Sequence, residues 1–264
     1  MLRDLFCIVW APFWTGVCFF GTLFGMLFSF SRSGSMPVVR GPWSRGLVWA
    51  GGGKLEVRGA ENVDMSKPHI FVSNHQSTVD IPVLFIALPA DVRFAAKAAL
   101  KYVPFIGWYM WLARFVFVDR GNHRAAVASL DRAAEQIRGG ISIIMFPEGT
   151  RSDDARVMPF KKGPFALAMK AGVPIVPVAI EGSGKLMPKN SWHISPGPIT
   201  VTIGKPIDPA QFNGDRDALI RTVRNFIIAQ NVAMGGKGGD VQDNIAARGH
   251  EGVSERTLNG GGES

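Results

Sequence analysis

The chain opens with an apolar run, "LFCIVWAPFWTGVCFFGTLFGMLFSF" over 5–30, that carries no charge. As one straight helix it is about 39 Å long against a hydrocarbon core of roughly 30 Å, long enough to cross a bilayer with tilt. Pro12, Gly16, Gly21 and Gly25 offer places to bend, and nine aromatic side chains suit the headgroup layer. That second reading predicts two short helices dipping into one leaflet and returning. Both stay open at this level. A secretory signal peptide is disfavoured: the run is too long, Asp4 follows Arg3, and no A-x-A-like cleavage site follows.

From Lys54 the pattern changes to short apolar segments alternating with amphipathic ones. Segments 54–59, 69–74, 92–96, 114–119, 142–146, 174–180 and 199–204 read as strands by β-branched and apolar content. Helices are predicted over 81–88, opened by Asp80 and Pro82; over 122–140, stopped by Gly139 and Gly140; over 163–172, with Pro164 at the first helical position; and over 215–230. The apolar, aromatic stretch 102–113 reads equally as a core helix or as a lipid-facing surface. Alternation of strands and helices predicts an α/β fold, with a mixed, largely parallel central sheet flanked by helices and an N-terminal membrane-embedded helical segment. The organisation expected is a membrane-attachment segment over 1–50, a domain over 51–231 and a disordered glycine-rich tail over 232–264, whose few large apolar residues cannot offset the entropy of ordering.

Charge narrows the partner. Twenty-nine Lys and Arg against twenty-one Asp and Glu give +8, alongside 47% hydrophobic residues. An anionic membrane surface fits that combination better than nucleic acid, for which no recognition motif is present. Arg32, Arg40, Arg45, Lys54 and Arg58 follow the apolar run with only Glu56 opposing them, and Trp43 and Trp49 are interleaved. This predicts a domain on the cytoplasmic face of an inner membrane. Cys7 and Cys18 would be about 16 Å apart on a helix, too far for a disulfide, and no zinc-ligand pattern exists. The "GSGK" at 182–185 is followed by Leu186 where a phosphate-binding loop needs Ser or Thr.

Candidate chemistry gathers where strands are predicted to end. His75 and Asp80 stand in "SNHQSTVD", a pairing that chance alone supplies often. Three further stretches accompany it: "FVDR" at 117–120, "FPEGTRS" at 146–152 and "VPVAI" at 176–180. Lys97 with Pro104, Gly107 and Trp108, and Phe160 to Gly163, are secondary matches. In this order the blocks resemble those of the glycerolipid acyltransferase family over about residues 54–229, the seven-residue third block being highly specific. Arg114 departs from the pattern, since the family's second block usually opens with glycine.

The resemblance implies transfer of a fatty acyl group from acyl-CoA or acyl carrier protein to the sn-2 hydroxyl of lysophosphatidic acid, with no bound cofactor or metal. A neutral His75 is the expected base, oriented by Asp80. Arg120 and Arg151 are expected to grip the phosphate, helped by Asn74, Lys97, Glu148, Gly149 and Thr150. Glu148 is available to accept from a glycerol hydroxyl or to orient an arginine. No protein nucleophile is expected, because the thioester is already activated and no serine sits in a nucleophile elbow. Alternatives are another lysolipid acceptor, such as a lyso-ornithine lipid, and a non-catalytic membrane lipid-binding protein.

Overall fold

The computed structural model describes residues 1–118 and 123–239. Helix α1 runs unbroken over Leu2–Ser29, through Pro12 and the three glycines, and ends at Phe30 in the left-handed region (φ 49°). The basic stretch after it, within the expected membrane-attachment segment, returns alongside α1. It forms a 3₁₀ turn over Arg32–Ser35, α2 over Met36–Val38, a π turn over Val39–Trp43 and α3 over Ser44–Gly51. Trp14 Nε1 donates to Pro42 O (2.9 Å), Trp43 Nε1 donates to Thr15 Oγ1 (3.1 Å), and Cys7 Sγ meets Ala50 O (3.3 Å), so the arms are antiparallel. Close approach near the tip requires glycine: a Cβ on Gly25 would come within 2.6 Å of Gly34 O.

Strands β1 (Gly53–Arg58), β2 (Ile70–Ser73), β3 (Val92–Lys97), β4 (Val116–Val118), β5 (Ser142–Met145), β6 (Ile175–Glu181) and β7 (Gly197–Ile203) form one sheet in the order β1-β7-β6-β2-β5-β3-β4. Only β6 with β7 pairs antiparallel, so the mixed, largely parallel sheet read from the sequence is present. Helices α4 (Asp80–Ala87) and α5 (Ile106–Leu112) lie on the hairpin's side. Helices α6 (His123–Arg138), α7 (Gly163–Ala171) and α9 (Arg216–Ala233) cover the other, and α8 (Ser183–Leu186) is a single turn after β6. Strand β2 shows the pleat: Phe71 enters the first core, while Ile70 and Val72 enter the second.

Both ends of the hairpin are tied to the domain. Asp4 Oδ1 accepts from Ile194 N (2.9 Å) at one end. At the tip Ser33 Oγ bonds Asp91, which pairs with the buried Arg93 of β3 (2.5 Å), and Ser35 Oγ bonds the Tyr109 hydroxyl (3.2 Å). Phe19 packs edge-on to Phe105 and Trp108. The opposite face of α1, with Leu5, Val9, Phe13, Phe20, Phe24 and Leu27, stays bare. The expected tail also begins later than residue 232. Helix α9 reaches Ala233, and the backbone beyond it packs on the domain through Val157 N to Gly238 O (2.8 Å) and a bridge of Val157 with Gly239. The rest of that tail, 240–264, lies outside the described residues.

Arg114, in the position where the resembling family carries glycine, has φ 60°. Helix α5 closes in a Schellman turn there, with Phe115 N bonded to Met110 O (2.8 Å) and Arg114 N to Trp111 O (3.2 Å). The backbone shape is kept, at the steric cost of a Cβ in the left-handed region. Arg114→Gly is therefore expected to raise stability by about 1 kcal/mol, read from thermal unfolding in detergent; an unchanged or lower midpoint contradicts this.

Candidate active site

The site lies at the carboxyl ends of β2, β5 and β6, three adjacent parallel strands. Such an edge gathers loop residues in a crevice beyond the sheet. His75 follows β2 in a loop that turns into α4, and Asp80 is the first residue of that helix. His75 Nδ1 meets Asp80 Oδ2 at 2.7 Å. The same oxygen accepts from Gln76 N (2.8 Å) and Ser77 N (2.9 Å), and Asp80 is fully buried. With three donors converging on that acceptor oxygen, Nδ1 is assigned as the ring's donor and Nε2 as its lone-pair site. The His75 ring, 15% exposed, stacks on Phe146 with centroids 3.8 Å apart and planes 8° apart.

The "FPEGTRS" segment grips His75 by its backbone. Glu148 Oε1 accepts from His75 N (3.2 Å), and Ser152 N donates to His75 O (2.8 Å). Glu148 is 4% exposed and makes no pair with Arg151, and its Oε2 is buried with no partner among the described residues. Burial pushes its carboxyl up to about 9; the nearby Asp80 carboxylate adds to the rise, and amide donors at His75 and Met158 oppose it. Glu148 is thus a neutral acid at pH 7 that props the loop from below. That corrects its expected place against a glycerol hydroxyl.

Asn74 is also corrected. It is 1% exposed, and its amide is spent on β6, with Nδ2 to Ile180 O (2.9 Å) and Oδ1 from Ile180 N (2.8 Å). It fixes the loop that carries His75 and does not face the crevice. Gly149 adopts φ 79°, and that backbone angle calls for glycine; the atom nearest a Cβ there, Lys161 Nζ at 2.8 Å, is the end of a flexible side chain. Thr150 is exposed beside it. Arg151 reaches back to the His75 loop through Nη1 to Thr78 Oγ1 (2.9 Å), and among the described residues it has no carboxylate partner. Its remaining donors are available to an anion. Lys97 ends β3 and is exposed, two strands from β2. Arg120 lies outside the described residues.

Sequence reasoning missed Phe146 as the platform under the imidazole, although it opens the third block. Serine hydroxyls near the base are engaged elsewhere: Ser77 Oγ donates to Met187 O (2.7 Å) and Ser73 Oγ to Asn74 O (3.1 Å), both residues being buried. Among the described residues no three His, Cys, Asp or Glu side chains converge as a metal-ligand set.

Comparison with known proteins shows the family and the fold. Residues 54–181 match a family model described as Acyltransferase. The chain is 41% identical over 176 residues to a chloroplastic 1-acyl-sn-glycerol-3-phosphate acyltransferase of Brassica napus, covering 66% of this chain and 50% of that one. It is 38% identical over 165 residues to the Saccharomyces cerevisiae 1-acyl-sn-glycerol-3-phosphate acyltransferase (61% and 54% covered), and 31% identical over 190 residues to the human alpha enzyme (70% and 67%). The chain spans about half the length of the plant and yeast relatives. The crystal structure of the LPA acyltransferase PlsC from Thermotoga maritima superposes with a TM-score of 0.78 at 30% identity, covering 90% of this chain and 99% of that one.

A neutral Glu148 has a consequence that can be measured. Because its folded-state pKa lies above the ordinary carboxylate value, the stability it contributes is full in acid and is lost as pH rises toward about 9. Glu148→Gln, which keeps an accepting oxygen for His75 N, is expected to retain most turnover and to flatten the fall of stability with pH, whereas Glu148→Ala loses turnover. Denaturation midpoints across pH and turnover of both variants check this; equal losses in the two variants contradict it.

Proposed function

Because the chain belongs to the glycerolipid acyltransferase family, we propose that it acylates the sn-2 hydroxyl of 1-acyl-sn-glycerol 3-phosphate to give phosphatidic acid. Either acyl-CoA or acyl carrier protein serves as donor in this reading. The observation that carries it is the His75 Nδ1 to Asp80 Oδ2 bond of 2.7 Å, which leaves Nε2 as a base, next to an arginine that has no carboxylate partner among the described residues. Nε2 takes the hydroxyl proton as the oxygen attacks the thioester carbonyl, and the buried Asp80 stabilises the imidazolium. When the tetrahedral adduct collapses, the C–S bond breaks and the imidazolium returns its proton to the leaving thiolate. Atoms balance without an acyl-enzyme.

Arg151 is suited to hold the acceptor's phosphate through paired donors, with Arg120 as the second arginine of the grip. The bare face of α1 and the exposed Trp108, Trp111 and Tyr102 lie where Phe19 joins α1 to α5. A cavity of about 310 Å³ between them is lined by Phe19, Lys101, Trp108, Trp111 and Leu112. These features support a hairpin lying in one leaflet of the inner membrane, with the site on the cytoplasmic face. A helix tied to the domain at both ends is poorly placed to stand upright across a bilayer.

An assay in detergent with lysophosphatidic acid and each donor tests the reading directly; no phosphatidic acid from either donor overturns it. His75→Ala is expected to cut turnover by about 10²–10⁴-fold, and wild-type-like turnover would remove the base assignment. Arg151→Ala is expected to raise KM for the phosphorylated acceptor by roughly tenfold or more with kcat little changed. An unchanged KM argues against the phosphate grip.

A further inference from the structure

Behind the reacting face, two buried amide side chains from distant parts of the chain meet on one buried carboxylate. Glu181 ends β6, and its Oε2 accepts from Gln76 Nε2 (3.0 Å) and Asn231 Nδ2 (2.8 Å), while Oε1 pairs with Lys185 Nζ (2.8 Å). Gln76 is the residue after His75, and its amide is fully used. Nε2 also donates to Ala155 O (3.1 Å), and Oε1 accepts from Ser183 Oγ (3.4 Å) and Gly184 N (3.5 Å). Its backbone N–H is one of the three donors on Asp80. The side chain of Gln76 and the orientation of the catalytic pair are therefore fixed by one short piece of backbone.

Asn231 brings in the end of α9. It is fully buried; its Oδ1 accepts from Gly238 N (2.9 Å) and its carbonyl from Gly236 N (2.8 Å). A Cβ on Gly236 would come within 2.3 Å of Asn231 Oδ1, so only glycine lets the backbone approach this closely. Gly238 O in turn accepts from Val157 N (2.8 Å), just before Met158, whose amide meets Glu148. The 231–239 segment thus holds the His75 loop along two routes: through Glu181 and Gln76, and through the 155–158 turn and Glu148.

We infer that Glu181, with Gln76 and Asn231, is a positioning centre for His75, and that it makes the segment after α9 a working part of the site. None of the three touches the reacting atoms. Their effect is geometric: without Glu181 the Gln76 amide keeps Ala155 O and the Asn231 amide keeps Ile180 O, but each is left with one buried N–H unpaired, and the loop shifts to find new partners. Displacements of about 1 Å at a base cost roughly 100-fold in rate. The inference rests on the acyl-transfer reading, so its test includes a measurement that needs no turnover.

Three variants separate the contributions. Glu181→Ala removes the acceptor; Glu181→Gln keeps an accepting oxygen and gives up only the Lys185 pair; Asn231→Asp keeps the acceptor for Gly238 N but has no donor for Glu181. Asn62→Ala, which loses a bond to Ile203 O at the far end of the sheet, serves as a control for plain destabilisation. Glu181→Ala and Asn231→Asp are expected to lower kcat about 10- to 100-fold with KM little changed. Amide exchange over 74–80, which contains the Gln76 and Ser77 donors to Asp80, speeds up about tenfold or more. Glu181→Gln recovers most of both. If Glu181→Ala does not fold, Asn231→Asp decides alone. Exchange over 74–80 and a kcat that stay as in wild type, with only the lowered melting point that Asn62→Ala also shows, overturn the inference. Absence of turnover in the wild type instead removes the acyl-transfer reading and leaves the exchange result standing.

Discussion

The site depends on one buried oxygen. Asp80 Oδ2 accepts from the imidazole and from the two amides that follow it, so ring, loop and the start of α4 share a single fixed point. All three donors go to Oδ2, while Asp80 Oδ1 is buried with no partner among the described residues, and the bond to the ring assigns the tautomer in which Nε2 carries the lone pair. The neighbouring segments work to keep that point still. Asn74 locks the loop to β6, while Glu148 and Ser152 hold the backbone of His75 from both sides.

The sheet explains why these groups meet. Strands β6, β2 and β5 are adjacent and parallel, so their carboxyl ends deliver Glu181, His75 and Glu148 to one edge. On the flank the hairpin is fastened at Asp4 and at Asp91, with its apolar face turned outward. In the proposed reading a lipid acceptor arrives from that surface and meets a cationic group, Arg151, beside the base.

Some of this was legible in the sequence because the signals are local. His75 and Asp80 are five positions apart at a helix start, and "FPEGTRS" puts backbone, acid and arginine in seven residues. The alternation of strands and helices was enough for a mixed, largely parallel sheet. What was not legible depends on contacts between distant positions. Gln76 meets Glu181 across 105 positions and Asn231 meets Glu181 across 50, so no spacing rule points to them. Composition misled where backbone packing decides: residues 236–239 read as tail by their glycines, yet those glycines allow the close approach to Asn231 and Ile228. In the return arm Gly, Pro and Arg interrupt the apolar period, and a π turn absorbs that interruption. Asn74 and Glu148 look like ligands in a motif, and only their burial reveals them as supports.

The central claim is that His75 acts as a base in direct transfer, with no acyl group ever resting on the protein. Intact-protein mass measurement after mixing with acyl donor alone, paired with initial rates over a grid of donor and acceptor, tests it most directly. The account predicts an unmodified mass and intersecting double-reciprocal lines. A protein heavier by one acyl group, together with parallel lines, would contradict it.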